Sequence, residues 1–377
     1  MKIGLLTYYG DLNCGTNLQA YATFSAIKSV YPNDIVEVIP FHGFKPEIRP
    51  YKSFNLACIC RDIVRMLKYK DFKRNKLNIR GKDPIIYDVE EALKYIASFE
   101  YDKIYVGADT LLELDRINID GLSAYWLKGI KAEKTFLAAS AKNVTYENLS
   151  ARQKEEMKEA VGQISHIGVR DSATIKLLSY FRPTEDIHHV PDPTFTMQID
   201  KDATRQYLEK KHLTIPKTSV FMHLYGNDNW ADDLAKFFKN KGYYIATPRP
   251  YKYSDFVLND MGPFEQFGIY GYFELVVTHR FHDCVFSLKN GTPFFVYVKS
   301  RKTFMTEDND SKHVSLLKDF GLFPYGFLGC VDDGICTNDM DEKLKLLKLH
   351  FNGEKVNSRL RELREEYFCF LNMTIKN

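Results

Sequence analysis

Residues 276–298 read VVTHRFHDCVFSLKNGTPFFVYV. The stretch predicts a buried strand, a helix and a second buried strand in immediate succession. Thr278, His279, Arg280 and His282 stand where the first strand turns into the helix. A packed core has no use for two imidazoles and a guanidinium at that junction, whereas a bound anion has. The N-terminus of a helix offers N–H donors and a partial positive charge. A guanidinium matches phosphate or carboxylate with two parallel hydrogen bonds.

The same alternation extends in both directions. Upstream, TSVFMHLYG (218–226), YYIATP (243–248) and ELVVTHR (274–280) read as strands, with helical stretches at 229–242 and 263–273 between them. The first half repeats the scheme with KIGLLTYY (2–9), DIVEVIPF (34–41), YDKIYVGADT (101–110), KTFLAASAK (134–142), SHIGVRDS (165–172) and DIHHVPDPTF (186–195). Ala20, Phe24 and Ile27 lie at i, i+4 and i+7, one face of a helix after the first strand. Strands alternating with helices build parallel sheets. Asp192–Pro193 is a natural boundary, because proline cannot continue a ladder and restricts the residue before it. The expected fold is α/β, with two doubly wound, Rossmann-like domains facing a cleft. The first covers 1–191, with a helical insertion at about 42–100, and the second covers 192–340. The charged helical tail, 341–377, is expected to cross back and brace the first domain.

The chain has 377 residues, 45% hydrophobic and 27% charged, which suits two globular domains and excludes a disordered chain. A net charge of +3 and a pI near 8.3 give no support for a nucleic-acid protein. No window approaches eighteen uninterrupted apolar residues, so no membrane span is expected. The start has neither the apolar core nor the cleavage site of a signal peptide. The seven cysteines (14, 58, 60, 284, 330, 336 and 369) are scattered and are read as reduced thiols in a cytoplasmic protein. Residues 61–82, RDIVRMLKYKDFKRNKLNIRGK, form a basic helical stretch. It is either a solvated face on a packed helix or an arm toward a lipid-linked acceptor or the inner face of a membrane.

In open parallel sheets, ligands bind beyond the carboxyl ends of the strands. The residues there include Asn13, Gly15, Asp109, Ser140, Lys142, Arg170, His223, Thr278, Arg280 and His282. Such a set suits a small anion rich in phosphate or carboxylate. Arg170 is either an anion ligand or the partner of an acid, and Asp171 reads as a helix cap. Gly15 serves either a ligand or a tight turn. No glycine-rich phosphate fingerprint is present, which argues against an NAD or ATP enzyme, and no metal-ligand spacing is evident.

Six stretches, YYGDLNCGTNLQAYA (8–22), YDKIYVGADT (101–110), FLAASAK (136–142), VRDSATIKLL (169–178), VPDPTF (190–195) and 276–297, together resemble the polysaccharide pyruvyl transferase family. The similarity runs from Lys2 to about Gly321. It implies a fold like the two-domain B-type glycosyltransferases, with an acceptor-side first domain and a donor-side second. It implies phosphoenolpyruvate as co-substrate, with no resident cofactor, and a sugar or lipid-linked oligosaccharide as acceptor, giving a pyruvyl ketal in exopolysaccharide or capsule biosynthesis. The family's Arg–Leu–His type triplet and upstream Arg, which hold or activate the donor, match Arg280, Phe281, His282 and Arg170. The sequence departs from the family at Ala108, Lys142 and Asp283, where the family has Ser, Gly and Gly.

On this reading His282 is the general acid/base, and Arg280 and Arg170 clamp the anion. Phe281, Thr278, Asn13, Gly15, Ser140 and Lys142 line the substrates. Asp109 either orients or deprotonates an acceptor hydroxyl, or serves the fold alone. Two alternatives stay open: a nucleotide-sugar glycosyltransferase of the same fold, and a non-catalytic scaffold in capsule assembly.

Overall fold

Continuous apolar runs become strands that are covered on both sides, as parallel strands require. β1 (Lys2–Leu6), β3 (Lys103–Val106) and β10 (Leu275–Thr278) are buried along nearly their whole length. A computed structural model describes residues 1–43, 56–114, 121–142, 144–224, 229–299 and 311–375. Part of the expected insertion, 44–55, lies outside the described residues. The chain divides into two units. The first comprises Met1–Lys52, Lys70–Met197 and Leu363–Asn377; the second comprises Ser53–Tyr69 and Gln198–Glu362.

The first unit runs β1, α1 (Cys14–Val30), β2 (Ile35–Val38), then α2 (Leu56–Lys76), which begins in the second unit's residues. It continues through α3 (Val89–Ala97), β3, β4 (Glu133–Ala139), α4 (Ala151–Gly162), β5 (His166–Val169), α5 (Ser172–Leu178) and β6 (Ile187–His189). Among the described residues its sheet has the order β2-β1-β3-β4-β5-β6, and every neighbouring pair is parallel. Helix starts follow local chemistry. Asp171 caps α5 by accepting from the Thr174 N–H at 2.8 Å, and Ser150 and Gln153 form a reciprocal capping box on α4.

The second unit runs α6 (Lys201–Lys210), β7 (Ser219–His223), α7 (Asn229–Asn240), β8 (Tyr244–Thr247), β9 (Phe256–Val257), α8 (Pro263–Ile269), β10, α9 (Phe281–Lys289) and β11 (Phe294–Val298). Then come α10 (Lys312–Asp319), β12 (Phe327–Cys330), α11 (Met340–His350) and α12 (Gly353–Met373). The sheet order is β12-β11-β10-β7-β8-β9, again all parallel. Each unit is therefore doubly wound and Rossmann-like, as the alternation predicts.

The end of α12 closes one face of the first unit. Tyr367, Phe370 and Leu371 join a core with Ile3, Leu5, Ala20, Tyr105 and Val190. The buried Lys103 ammonium donates to the Thr374 carbonyl and pairs with Glu133 at 2.9 Å, so its charge is compensated. Each such buried apolar side chain contributes about 1.5–3 kcal/mol relative to exposure. Among the described residues no helix is long and apolar enough to cross a membrane. Cys60, Cys284, Cys336 and Cys369 are free thiols.

One glycine is dictated by close approach. β4 bulges between Phe136 and Ala139, with Ala138 at φ 55°, and the bulge drives the Leu137 carbonyl toward β3. A Cβ at Gly107 would sit 1.8 Å from that oxygen. Gly107→Ala is expected to destabilise the chain by roughly 3 kcal/mol or more in denaturant unfolding. Gly162→Ala at the open end of α4, where a Cβ meets nothing within 4 Å, is expected to be neutral or stabilising.

Candidate active site

The order of the second sheet decides where its ligand goes. β7 is followed in sequence by β8 on one side, while β10 lies on the other. The crevice beyond the carboxyl ends of β7 and β10 is therefore the topological switch point, the ligand position of doubly wound sheets. Thr278 pairs in register with His223, so the last residues of the two strands stand side by side at that crevice.

Asp283, in the first turn of α9, is the hub of the cluster and is only 2% exposed. His223 donates from Nδ1 to Asp283 Oδ2 at 2.6 Å, and the Thr278 hydroxyl donates to the same oxygen at 2.9 Å. The Tyr270 hydroxyl donates to Oδ1 at 2.8 Å. Burial alone would raise the carboxyl's pKa. The His223 ring, the Arg280 charge and the Tyr270 hydroxyl outweigh it and hold Asp283 well below the usual carboxylate range. Burial, reinforced by the Arg280 charge and opposed by Asp283, holds the His223 imidazole below its ordinary value. With Nδ1–H fixed on Asp283, Nε2 is the nitrogen left to accept a proton.

The predicted residues of this unit gather around the hub. Thr278 is fully buried, and its hydroxyl both donates to Asp283 and accepts the Arg280 backbone N–H at 3.0 Å, which sets the turn into α9. Arg280 is the N-cap residue of α9 and is half-buried. Among the described residues no carboxylate pairs with its guanidinium. His282 packs between Phe281 and Phe286, at ring distances of 5.5 and 6.0 Å. Phe281 also stacks edge-on to His313 and lies beneath the Lys312 ammonium, 5.1 Å from its ring. His279 donates from Nδ1 to the His223 carbonyl oxygen, 3.0 Å away, so its ring is turned toward β7.

The first unit holds the other predicted residues, and there the charges compensate each other. Arg170 donates to Asp109 Oδ1 at 3.0 Å and to Asp192 Oδ2 at 3.1 Å. The Gln19 amide donates to that same Asp192 oxygen at 2.7 Å. Burial opposes the Arg170 charge, and the two carboxylates overcome it, keeping the guanidinium protonated. Of the two roles open to Arg170, pairing with acids is the one its side chain fulfils. Lys142 pairs with the buried Glu113 at 3.1 Å, and its backbone N–H donates to the Ser140 hydroxyl at 3.0 Å. Asp109 (φ 85°) and Lys142 (φ 60°) both occupy the left-handed region, where non-glycine residues are strained. The Asn13 side chain accepts from the Gly15 N–H at 3.1 Å and caps α1.

His223 falls at a strand end in the sequence, but its contact with Asp283 spans 60 positions and needs the strand order to appear. The signal for Asp283 was the carboxylate standing where the family has glycine. Tyr270 and His313 carried no signal of their own.

Three imidazoles of this site resist protonation. Burial, followed by the neighbouring His223, lowers His279 to about 4. Burial, followed by Lys312 and His279, lowers His313 to about 3. The unfolded chain binds these protons near 6.5, so below that pH it holds more protons than the folded chain. Stability is then present above about pH 6.5 and is lost as pH falls toward these folded values. At pH 5 His279 and His313 are each expected to withdraw about 2 kcal/mol. Calorimetry at pH 7 and pH 5 checks this: His313→Leu should lose less stability between the two than the unaltered chain.

Comparison with solved structures places the fold. The UDP-GlcNAc 2-epimerase of Neisseria meningitidis, solved with UDP-GlcNAc, is similar at 9% identity and TM-score 0.56, covering 100% of both chains. A putative UDP-N-acetylglucosamine 2-epimerase of Listeria monocytogenes is similar at 10% identity and TM-score 0.55, covering 97% of this chain and 92% of that one. At these identities the likeness is one of fold. A comparison with curated proteins finds no match. The family described as Polysaccharide pyruvyl transferase matches residues 13–299, which include both clusters. The chain belongs to the polysaccharide pyruvyl transferase family.

Proposed function

We propose that the chain transfers the enolpyruvyl group of phosphoenolpyruvate to two hydroxyls of a sugar acceptor, forming a pyruvyl ketal and releasing phosphate. The observation that carries this reading is the Arg280 guanidinium, which has no carboxylate partner among the described residues. Arg280 stands at the N-cap position of α9, at the switch-point crevice and within the family match. A guanidinium left without an acid beside a helix N-terminus suits a ligand carrying both phosphate and carboxylate. Arg170, already held by Asp109 and Asp192, acts here by fixing those carboxylates rather than by gripping the donor.

The reaction needs a proton on the methylene carbon, a base for each acceptor hydroxyl and a cation for the leaving phosphate. His282 supplies the proton to the methylene carbon, leaving an oxocarbenium-like centre at the adjacent carbon. One hydroxyl attacks that centre, and His223 Nε2 takes its proton while Asp283 holds the ring. The carbon–oxygen bond to phosphate breaks as Arg280 and the α9 N-terminus offset the charge on the departing oxygen. The second hydroxyl closes the ketal and gives up its proton, which leaves with phosphate. Phe281 and Lys312 border the donor. Asp109, set by Arg170 on a strained backbone, orients the acceptor together with Ser140 and Lys142.

Thermal unfolding with phosphoenolpyruvate, and phosphate release with a panel of sugar acceptors followed by mass, test the assignment. Arg280→Ala should abolish the ligand-induced rise in melting temperature. Asp283→Asn should keep that rise yet lower transfer by about 10²-fold or more and displace the acid limb of its pH profile. Turnover of UDP-GlcNAc without consumption of phosphoenolpyruvate would refute the reading.

A further inference from the structure

α2 turns its apolar side the wrong way for a soluble helix. Among its described side chains, Tyr69 and Phe72 are the buried ones. On the opposite side Ile59, Ile63, Val64, Met66 and Leu67 are 37, 50, 40, 46 and 60% exposed. At 100° per residue these five fall within an arc of roughly 160°. Exposed apolar residues scattered singly are ordinary, but five in three consecutive turns form a patch, and patches mark interaction surfaces.

The same helix is strongly basic. It carries Arg61, Arg65, Lys68, Lys70, Lys73, Arg74 and Lys76 against Asp62 and Asp71. Lys68 is neutralised by Glu265 at 2.6 Å, and Lys73 by Asp83. Arg61, Lys70, Arg74 and Lys76 are exposed. Helical spacing puts Lys70 and Arg74 on the face of Ile59 and Ile63, about two to four turns further on. The exposed side is therefore apolar over residues 59–67 and carries Lys70 and Arg74, with Asp71, further on.

We propose that this face of α2 docks on an anionic lipid surface and lies in its plane. The apolar turns would enter the headgroup boundary while Lys70 and Arg74 meet the lipid phosphates, the division of labour of interfacial helices. The charges argue against a second copy of the chain as occupant. A two-fold contact sets each patch on its equal. Parallel helices would then oppose cation to cation, and antiparallel helices would set Ile63 and Leu67 against Lys70 and Arg74. The helix is too polar to cross a bilayer, which leaves the surface. The proposal is independent of the reaction, and its test needs no activity.

Sedimentation of the full chain with vesicles reads the binding. Vesicles of phosphatidylcholine mixed with phosphatidylglycerol should bind it at least about tenfold better than phosphatidylcholine alone, and added salt should weaken that binding. The double variant Ile63→Ser, Leu67→Ser should melt like the unaltered chain and lose vesicle binding about tenfold or more. The double variant Lys70→Glu, Arg74→Glu should lose the preference for anionic vesicles. No binding to anionic vesicles, equal binding to both kinds, or undiminished binding by either variant would overturn the proposal. So would a dimer in sedimentation velocity that Ile63→Ser, Leu67→Ser splits.

Discussion

An ionised carboxylate sealed inside the second unit is tolerable only if donors surround it, and Asp283 has three. A buried charge without such partners is among the costliest features a fold can carry. His223, Thr278 and Tyr270 come from β7, β10 and the 3₁₀ turn at 270–272, so the hub ties together separate elements around the switch point. The same contacts fix which nitrogen of His223 carries hydrogen, and they set the turn from which Arg280 projects. The order of this crevice rests on one carboxylate.

The two arginines that sequence similarity pairs together are in different electrostatic situations. Arg170 lies between Asp109 and Asp192, a buried, hydrogen-bonded and compensated cluster. Its worth is in order: it holds the end of β3 where Asp109 adopts φ 85°. Arg280 sits on a helix N-terminus, and its positive charge reaches Asp283, His223 and His279. A cation placed among neutral imidazoles at a strand–helix junction attracts an anion, whereas a cation between two carboxylates does not. The expected anion clamp thus joins one arginine held between two carboxylates and one with no carboxylate partner among the described residues.

The alternation of apolar runs with helical stretches was enough to read both parallel sheets, because parallel strands are buried on both faces and cannot hide their composition. Arg280 and His282 were equally legible, since charged residues between two apolar strands stand out without any knowledge of contacts. The Asp283–His223 pair was not, because it depends on β7 lying beside β10, and strand order is a property of crossovers rather than of local pattern. Arg170 was legible as a position and illegible as a role, because its partners stand 61 and 22 positions away. The bulge that makes Gly107 obligatory leaves no mark in the apolar run FLAA, which reads as an ordinary strand. The basic character of α2 was legible in its composition, but composition does not say which side of a helix is covered.

On the proposed reading, the second unit's switch-point crevice holds a small anionic donor against Arg280. A crystal structure of the protein soaked with phosphoenolpyruvate tests it most directly. The ligand's phosphate or carboxylate should lie in hydrogen-bond contact with the Arg280 guanidinium and the α9 N-terminus, with the His223–Asp283 bond intact. Ligand bound at another place, with Arg280 paired to an acid of the chain, would contradict it.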